Sequence, residues 1–145
     1  MTSPQSGAEA VDLSPTGRPV TEVAVGVLVR SDGRYLLAQR RAGKPYEGYW
    51  EFPGCTLAPG ETVEAALGRE LHEELGIVMT QCHRWHTLEH DYPHAYVRLH
   101  FCKVTGWTGE PHGREGQAFS WQRLPVEVAP LLPAAIPVLA LLAAD

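Results

Sequence analysis

Three glutamates have a spacing that would place them on one face of a helix. Glu70, Glu73 and Glu74 stand at positions i, i+3 and i+4, and side chains at these positions of a helix are neighbours. Like charges at this spacing repel each other by roughly 0.2–0.5 kcal/mol per pair, so the helix gains no stability from them. A divalent cation is the simplest compensation, because Mg²⁺ binds a few carboxylates together with substrate phosphates. The spacing therefore indicates a metal site, or an acidic face exposed to solvent.

The segment that carries these acids is predicted to be a helix over residues 63–75. Thr62 is a suitable N-cap, and Gly76 stands at the C′ position, where a left-handed backbone ends many helices. An apolar stripe runs along the predicted helix and consists of Val63, Leu67, Leu71 and Leu75. The three carboxylates lie along one flank of this stripe, which places them at the border between core and solvent.

Runs of β-branched and apolar residues predict strands on both sides of this helix. They cover residues 21–30, 34–39, 50–52, 83–90, 94–104 and 118–121. A turn signal at residues 31–33 joins the first two runs, which predicts a β-hairpin there. Residues 41–50 are predicted to form a loop, and a short helix is expected at about residues 136–143. Many strands around one strong helix predict an α+β fold, or a sandwich built on a mixed sheet.

Length and charge limit the classes of protein that this chain can represent. Its 145 residues suffice for a single core, and the formal net charge is −5. The longest run of basic residues is the pair Arg40 and Arg41, so the sequence argues against binding of a nucleic-acid polymer through phosphate neutralisation. A small anion could still bind through a metal or a local site.

The cysteines and the two chain ends carry no export or membrane signal. Cys55, Cys82 and Cys102 are odd in number and lack a C-x-x-C spacing, which favours a reducing cytoplasm over a disulfide framework or a zinc site. Residues 1–19 lack an apolar core and are predicted to be a flexible tail before a domain over residues 20–145. Prolines and an acid interrupt the apolar residues 124–144, which predicts a core-packed loop and helix rather than a membrane span.

The three glutamates belong to a longer pattern. Glu61 precedes Arg69 by eight positions, and residues 69–77 read Arg-Glu-Leu-His-Glu-Glu-Leu-Gly-Ile. This pattern resembles the Nudix box, Gly-x5-Glu-x7-Arg-Glu-U-x-Glu-Glu-x-Gly-U, in which U is aliphatic. Residues 50–54, 109–111 and 113–117 are similar to the MutT branch of nucleoside triphosphate pyrophosphohydrolases. The resemblance covers roughly residues 21–143.

The resemblance implies a fold and a reaction. The fold would be the Nudix α/β/α sandwich, with a mixed β-sheet and one catalytic helix. The reaction would be attack of water on a nucleoside triphosphate to give a nucleoside monophosphate and pyrophosphate, with 8-oxo-dGTP as one candidate substrate. Mg²⁺, or Mn²⁺ in its place, would be held by a set of five residues: Gly54, Glu70, Glu73, Glu74 and Glu115.

The resemblance also assigns roles to other residues. Glu61 and Arg69 would support the site, with Arg69 holding the loop or its carboxylates through charge-assisted hydrogen bonds. Glu115 would be a further metal ligand or the base, although an exposed loop acid is the alternative. Glu70 is favoured over Glu115 as the base that activates water. The predicted substrate-binding residues are Arg40, Phe52, Pro53, Gly54, Tyr92 and Ala135.

The chain departs from the family pattern at two places. Cys55 occupies the first glycine of the box, where it would be strained or would adopt the same backbone shape at some cost. Ala135 stands where the MutT branch has an asparagine that hydrogen-bonds the purine, and Ala95 stands where that branch often has arginine. A preference for oxidised guanine is therefore an open hypothesis. The alternatives are another nucleoside diphosphate substrate, or nucleotide binding without turnover. The oligomeric state is expected to be a monomer or a homodimer.

Overall fold

The computed structural model describes residues 12–114 and 116–145. Its elements, in chain order, are β1 (Val20–Leu28), β2 (Tyr35–Gln39), β3 (Trp50–Glu51), β4 (Gly54–Thr56), α1 (Val63–Leu75), β5 (Val78–Asp91), β6 (Tyr96–Thr108), β7 (Phe119–Gln122), a 3₁₀ turn (Pro133–Ala135) and α2 (Ile136–Ala144). The strands predicted from residue 83 and from residue 94 thus form β5 and β6, and β5 begins earlier than predicted.

The strands form two sheets. The larger is a mixed sheet of order β4-β1-β6-β5, in which β1 runs parallel to β6 and antiparallel to β4. The smaller is antiparallel, with the order β3-β2-β7. A mixed sheet combined with helices confirms the predicted α+β class.

The prediction of a hairpin between the first two strands is wrong, although the predicted turn is present. Val29 and Tyr35 form an isolated antiparallel bridge next to the turn, after which β1 and β2 enter different sheets. Both strands are apolar on both faces, since Val27 and Leu28 are fully buried in β1, as are Leu36 and Leu37 in β2. Each strand therefore needs its own neighbouring strands and side chains packed over both of its faces, which an isolated two-stranded hairpin would not provide.

Helix α1 packs on one face of the mixed sheet, and a second core cluster lies on the other. The predicted apolar stripe of α1 is buried as expected, with exposed fractions of 0–4%. It contacts Ala24 and Leu28 of β1 and Cys102 and Val104 of β6. The opposite face of the sheet contributes to a second core cluster, which includes Val25, Leu99, Phe101, Val138 and Leu142.

Residues 12–19 and helix α2 also contact this core or its strands. Val138 and Leu142 bury one side of α2, and no helix in the described part of the chain is long and apolar enough to cross a membrane. Residues 12–19, which the sequence assigns to the tail, contact β6 through a hydrogen bond from Arg98 to Asp12. The rest of the predicted tail, residues 1–11, lies outside the described residues, so the division at residue 20 stays a prediction.

Candidate active site

Both ends of helix α1 are formed by the residues that the sequence indicates. Thr62 Oγ1 accepts a hydrogen bond from the Ala65 amide at 3.1 Å, which satisfies one free donor of the first turn. Gly76 ends the helix with a φ of 70°, and its amide donates to His72 O. The helix that carries the three acids is therefore held in position from its first residue to its last.

A loop distant in sequence donates hydrogen bonds to the end of α1, a contact that sequence reasoning missed. The amides of His112 and Arg114 donate to Leu75 O at 3.0 Å and to Glu74 O at 2.9 Å. The last carbonyls of a helix lack partners within it, so some partner was to be expected, but no local signal identifies which segment provides one. Glu115 follows in this loop but lies outside the described residues, and its predicted role stays a prediction.

A cavity of about 360 Å³ lies beside α1 and brings most of the predicted residues together. Glu70 and Glu74 line it from the helix, Phe52 and Tyr92 from the positions just after β3 and β5, and Ala135 from the 3₁₀ turn. Arg40 and Gly54 are further predicted residues on its lining. Pro53 is not on the lining, since it is buried and its carbonyl accepts a hydrogen bond from the Gly26 amide at 2.8 Å.

The three glutamates of the helix do not share one environment. Glu70 is only 6% exposed, and Glu74 accepts a hydrogen bond from Gln117 Nε2 at 3.2 Å. Glu73 is not part of the cavity lining; its side chain is 54% exposed and lies 3.6 Å from Arg69. Within residues 12–114 and 116–145, no group of three or more His, Cys, Asp or Glu side chains is arranged to hold a metal ion.

The donor chemistry of the cavity nevertheless fits a hard divalent cation. Deep burial of a carboxylate such as Glu70 requires compensation by charge or hydrogen bonds, and Glu74 lines the same cavity. Oxygen ligands are those that Mg²⁺ prefers. The nearby Cys55 is a poor competitor, because burial, with a contribution from the charge of Glu70, raises the pKa of its thiol to about 11.

Arg69 and Glu61 connect the helix to the loop before it. Arg69 donates from Nε and Nη2 to the two oxygens of Glu61, at 3.0 and 2.9 Å. Glu61 Oε1 also accepts from the Ala58 amide at 2.9 Å. The Arg69 hydrogen bonds, with that of the amide, lower the Glu61 pKa to about 2, so this carboxylate is ionised at neutral pH. The two-pronged contact fixes the loop against α1, next to the cavity.

Cys55 fits its position without backbone strain. It lies in β4 opposite Ala24, and Tyr46 is the one non-glycine residue with a positive φ in the described part of the chain. Its Sγ contacts Ala66 O of α1 at 3.4 Å. The position that requires glycine is the preceding one, because a Cβ on Gly54 would lie 2.5 Å from Ala24 O.

Restoring the family's glycine at this position is expected to bring no gain in turnover. We expect Cys55→Gly to lower the free energy of unfolding by about 1–2 kcal/mol, because it removes a packed side chain and adds glycine to a strand. Turnover per folded molecule should stay within about twofold of wild type. Urea unfolding and initial rates measure both effects, with Cys55→Ala as the control that keeps a side chain. A clear rise in turnover would show that Cys55 impairs the site.

The cavity lining also contains an ion pair, Arg40 with Glu51, of which sequence reasoning did not single out Glu51. Arg40 donates to Glu51 Oε1 at 3.0 Å and to Pro45 O at 2.7 Å. Burial raises the pKa of Glu51, and the charge of Arg40 opposes that rise. Tyr92 is 4% exposed, and its hydroxyl accepts a hydrogen bond from the Ala134 amide at 2.9 Å. Residue types alone do not reveal that Arg40 and Glu51 face the same cavity.

Comparison with known proteins gives consistent matches over most of the chain. The NUDIX domain model matches residues 20–142. The 8-oxo-dGTP diphosphatase of Haemophilus influenzae is 38% identical over 104 residues, which cover 72% of this chain and 76% of that protein. The CTP pyrophosphohydrolase of Escherichia coli K12 is 38% identical over 117 residues, which cover 79% of this chain and 86% of that protein.

Solved structures agree with these matches. A MutT structure from work on Aliivibrio salmonicida and Vibrio cholerae has a TM-score of 0.72 and 31% identity, and the match covers 86% of this chain and 98% of that one. A MutT NUDIX hydrolase from Burkholderia pseudomallei has a TM-score of 0.77 and 28% identity, with coverage of 83% and 96%. These likenesses confirm the predicted α/β/α sandwich.

Proposed function

This chain belongs to the Nudix family, and we propose that it is a metal-dependent pyrophosphohydrolase that converts a nucleoside triphosphate and water to a nucleoside monophosphate and pyrophosphate. The observation that carries the proposal is that one cavity joins the carboxylates Glu70 and Glu74 to an apolar and aromatic region. A triphosphate beside the acids would place its base against Phe52 and Tyr92. The names of the relatives, an 8-oxo-dGTP diphosphatase and a CTP pyrophosphohydrolase, support the same class of reaction.

The proposed metal is Mg²⁺, with Mn²⁺ as a substitute. Its ligands would come from the predicted set of Gly54, Glu70, Glu73, Glu74 and Glu115, of which Gly54, Glu70 and Glu74 line the cavity. Bound Mg²⁺ would neutralise phosphate charge and polarise a phosphoryl oxygen, which would let an acidic protein hold a polyanion.

The side chains of the chain would supply the other parts of the reaction. Glu70 is proposed to accept the proton of the attacking water, since it is an ionisable group within the cavity, and Glu115 remains the alternative base. Arg69 and Glu61 hold the loop before the helix, so the carboxylates of α1 keep their position relative to β4. Arg40, held by Glu51, is proposed to contact the nucleotide.

The proposed setting is that of a small-molecule enzyme. We propose a nucleotide as the partner rather than a nucleic-acid polymer, and the cytoplasm as the compartment, where nucleoside triphosphates are present. Monomer or homodimer remains the prediction for the oligomeric state.

Product analysis on a panel of nucleotides tests the proposed reaction. The purified chain is incubated with 8-oxo-dGTP, dGTP or CTP and MgCl₂, and pyrophosphate and orthophosphate are measured separately. Pyrophosphate with the nucleoside monophosphate is the expected result. Orthophosphate as the main product would indicate a different bond cleavage, and binding without any product would overturn the assignment as an enzyme.

Discrimination between 8-oxo-dGTP and dGTP is expected to be modest. Ala95 and Ala135 both line the cavity and offer no side-chain hydrogen bond to a base. Without a polar side chain at these two positions, the site loses there the penalty that an unpaired hydrogen-bonding group imposes on the wrong base, which reaches about 10⁴–10⁵-fold in sites that have such a group. Competition of the two nucleotides at equal concentration should give a ratio of specificity constants below roughly 100. Equal constants would reject a preference for oxidised guanine, and a ratio of 10⁴ would contradict the prediction.

A further inference from the structure

Residues 12–19 form a closed turn that lies just before the part of the chain matched by the family. Ser14 closes the turn: its amide donates to Arg18 O at 2.8 Å, and its hydroxyl accepts from the Arg18 amide at 3.0 Å. Ser14 is only 6% exposed. Asp12 anchors the start of the turn, since its carbonyl accepts from the Val20 amide and its carboxylate from Arg98, both at 2.8 Å. These hydrogen bonds attach the turn to β1 and β6, so the backbone that carries the Arg18 side chain has a fixed position.

The Arg18 guanidinium contacts three consecutive residues at the end of β5. Its Nη1 pairs with the Asp91 carboxylate and donates to Tyr92 O at 2.7 Å. Its Nη2 donates to Pro93 O at 3.2 Å. A planar guanidinium offers several donors in a fixed arrangement, and hydrogen bonds from a charged donor are stronger than those between neutral groups. One side chain therefore holds the chain where it leaves β5.

The segment that Arg18 holds is part of the cavity wall. Tyr92 and Ala95 close the turn between β5 and β6, with the Tyr92 amide donating to Ala95 O at 3.0 Å and the Ala95 amide donating to Tyr92 O at 3.2 Å. Tyr92, His94 and Ala95 all line the cavity. The rings of Tyr92 and His94 are stacked, with centroids 5.2 Å apart. A shift of this turn would move three lining residues at once.

We propose that Arg18 is a positioning residue that holds the Tyr92–Ala95 turn as the base-side wall of the nucleotide cavity. This inference rests on the proposed function, since it assigns that wall to the nucleoside part of the substrate. Arg18 is not on the cavity lining, and neither Glu70 nor Glu74 is among its partners. Loss of Arg18 should therefore weaken substrate binding and leave the chemical step at α1 unchanged.

The kinetic test separates substrate binding from chemistry. We expect Arg18→Gln to raise the KM for dGTP and for CTP about tenfold, because the variant loses charge-assisted hydrogen bonds. Its kcat should stay within about twofold of wild type. Asp91→Asn keeps the two carbonyl contacts of Arg18 and should raise KM only about twofold. The matched control is Arg34→Gln, which removes a half-buried arginine 3.7 Å from Asp32 in another turn and should leave both constants unchanged. An unchanged KM in Arg18→Gln, or a loss confined to kcat, would overturn the proposal.

Amide hydrogen exchange provides a readout that does not depend on turnover. In Arg18→Gln the amides of Tyr92 and Ala95 should exchange faster than in wild type, while the amides of α1 keep their protection. Unchanged exchange at Tyr92 and Ala95 would overturn the role of Arg18, whatever the kinetics show. Absence of pyrophosphate release by the wild-type protein would instead overturn the proposed function, so the two failures are distinguishable.

Discussion

Replacing Glu74 with glutamine is expected to lower Mg²⁺-dependent pyrophosphate release by at least about 100-fold. Glutamine has nearly the same shape but no charge, so Glu74→Gln removes a carboxylate that lines the cavity and is proposed to bind the metal. The fold should persist, because the substitution changes neither the Gly76 cap nor the buried apolar stripe of the helix. Initial rates over a range of MgCl₂ concentrations, with thermal unfolding of the same samples, measure both parts of the prediction.

A second glutamate on the same helix offers a matched control. Glu64 lies in the first turn of α1, where it pairs with Arg84 at 2.9 Å, and it is not on the cavity lining. Glu64→Gln makes the same chemical change and should leave pyrophosphate release within about twofold of wild type. Near-normal turnover in Glu74→Gln would remove this carboxylate from the mechanism.

Adding one methyl group at Gly54 is expected to destabilise the protein by about 2–4 kcal/mol. A Cβ there would lie 2.5 Å from Ala24 O and 3.2 Å from Val25 Cα, and both are backbone atoms of β1. Relief of the clash requires β4 to move away from β1, which disturbs a cavity that Gly54 itself lines. The midpoint of urea unfolding of Gly54→Ala measures the loss of stability.

Gly68→Ala is the control for the change from glycine to alanine. In α1 a Cβ at this position would meet only Met79 Cε, at an ordinary contact distance of 3.7 Å. Alanine favours the helix by about 1 kcal/mol over glycine, so this variant should be slightly more stable than wild type. A wild-type urea midpoint for Gly54→Ala would show that β4 can shift without cost.

The helix that carries the acids is the part of the structure best predicted from sequence. Its N-cap, its apolar stripe and its final glycine all act within a few residues along the chain, and each is found where expected. The hairpin prediction failed because a turn signal is local, whereas the sheet that a strand joins depends on distant partners. In β1 those partners are β6 and β4, and Val25 illustrates the point by pairing with Phe101 and with Gly54.

The site, like the fold, was predicted where it depends on neighbouring residues and was not predicted where it depends on packing. The spacing of Glu70, Glu73 and Glu74 is sufficient to predict a common helix face, because helical geometry depends only on neighbouring residues. That spacing does not reveal that Glu70 and Glu74 line the cavity while Glu73 lies beside Arg69. Burial depends on what packs over each residue.

Contacts between segments that are distant in sequence account for the features that no motif predicted. The loop residues His112 and Arg114 fasten the end of α1, and Arg18 holds a turn more than seventy positions away. Short-range hydrogen bonds and side-chain periodicity can be inferred from the order of residues, so the helix, its ends and its acids were predictable. The cavity wall, the division into two sheets and the partners of Arg18 arise only when remote segments pack together, since many pairings suit the same local pattern and packing selects one of them.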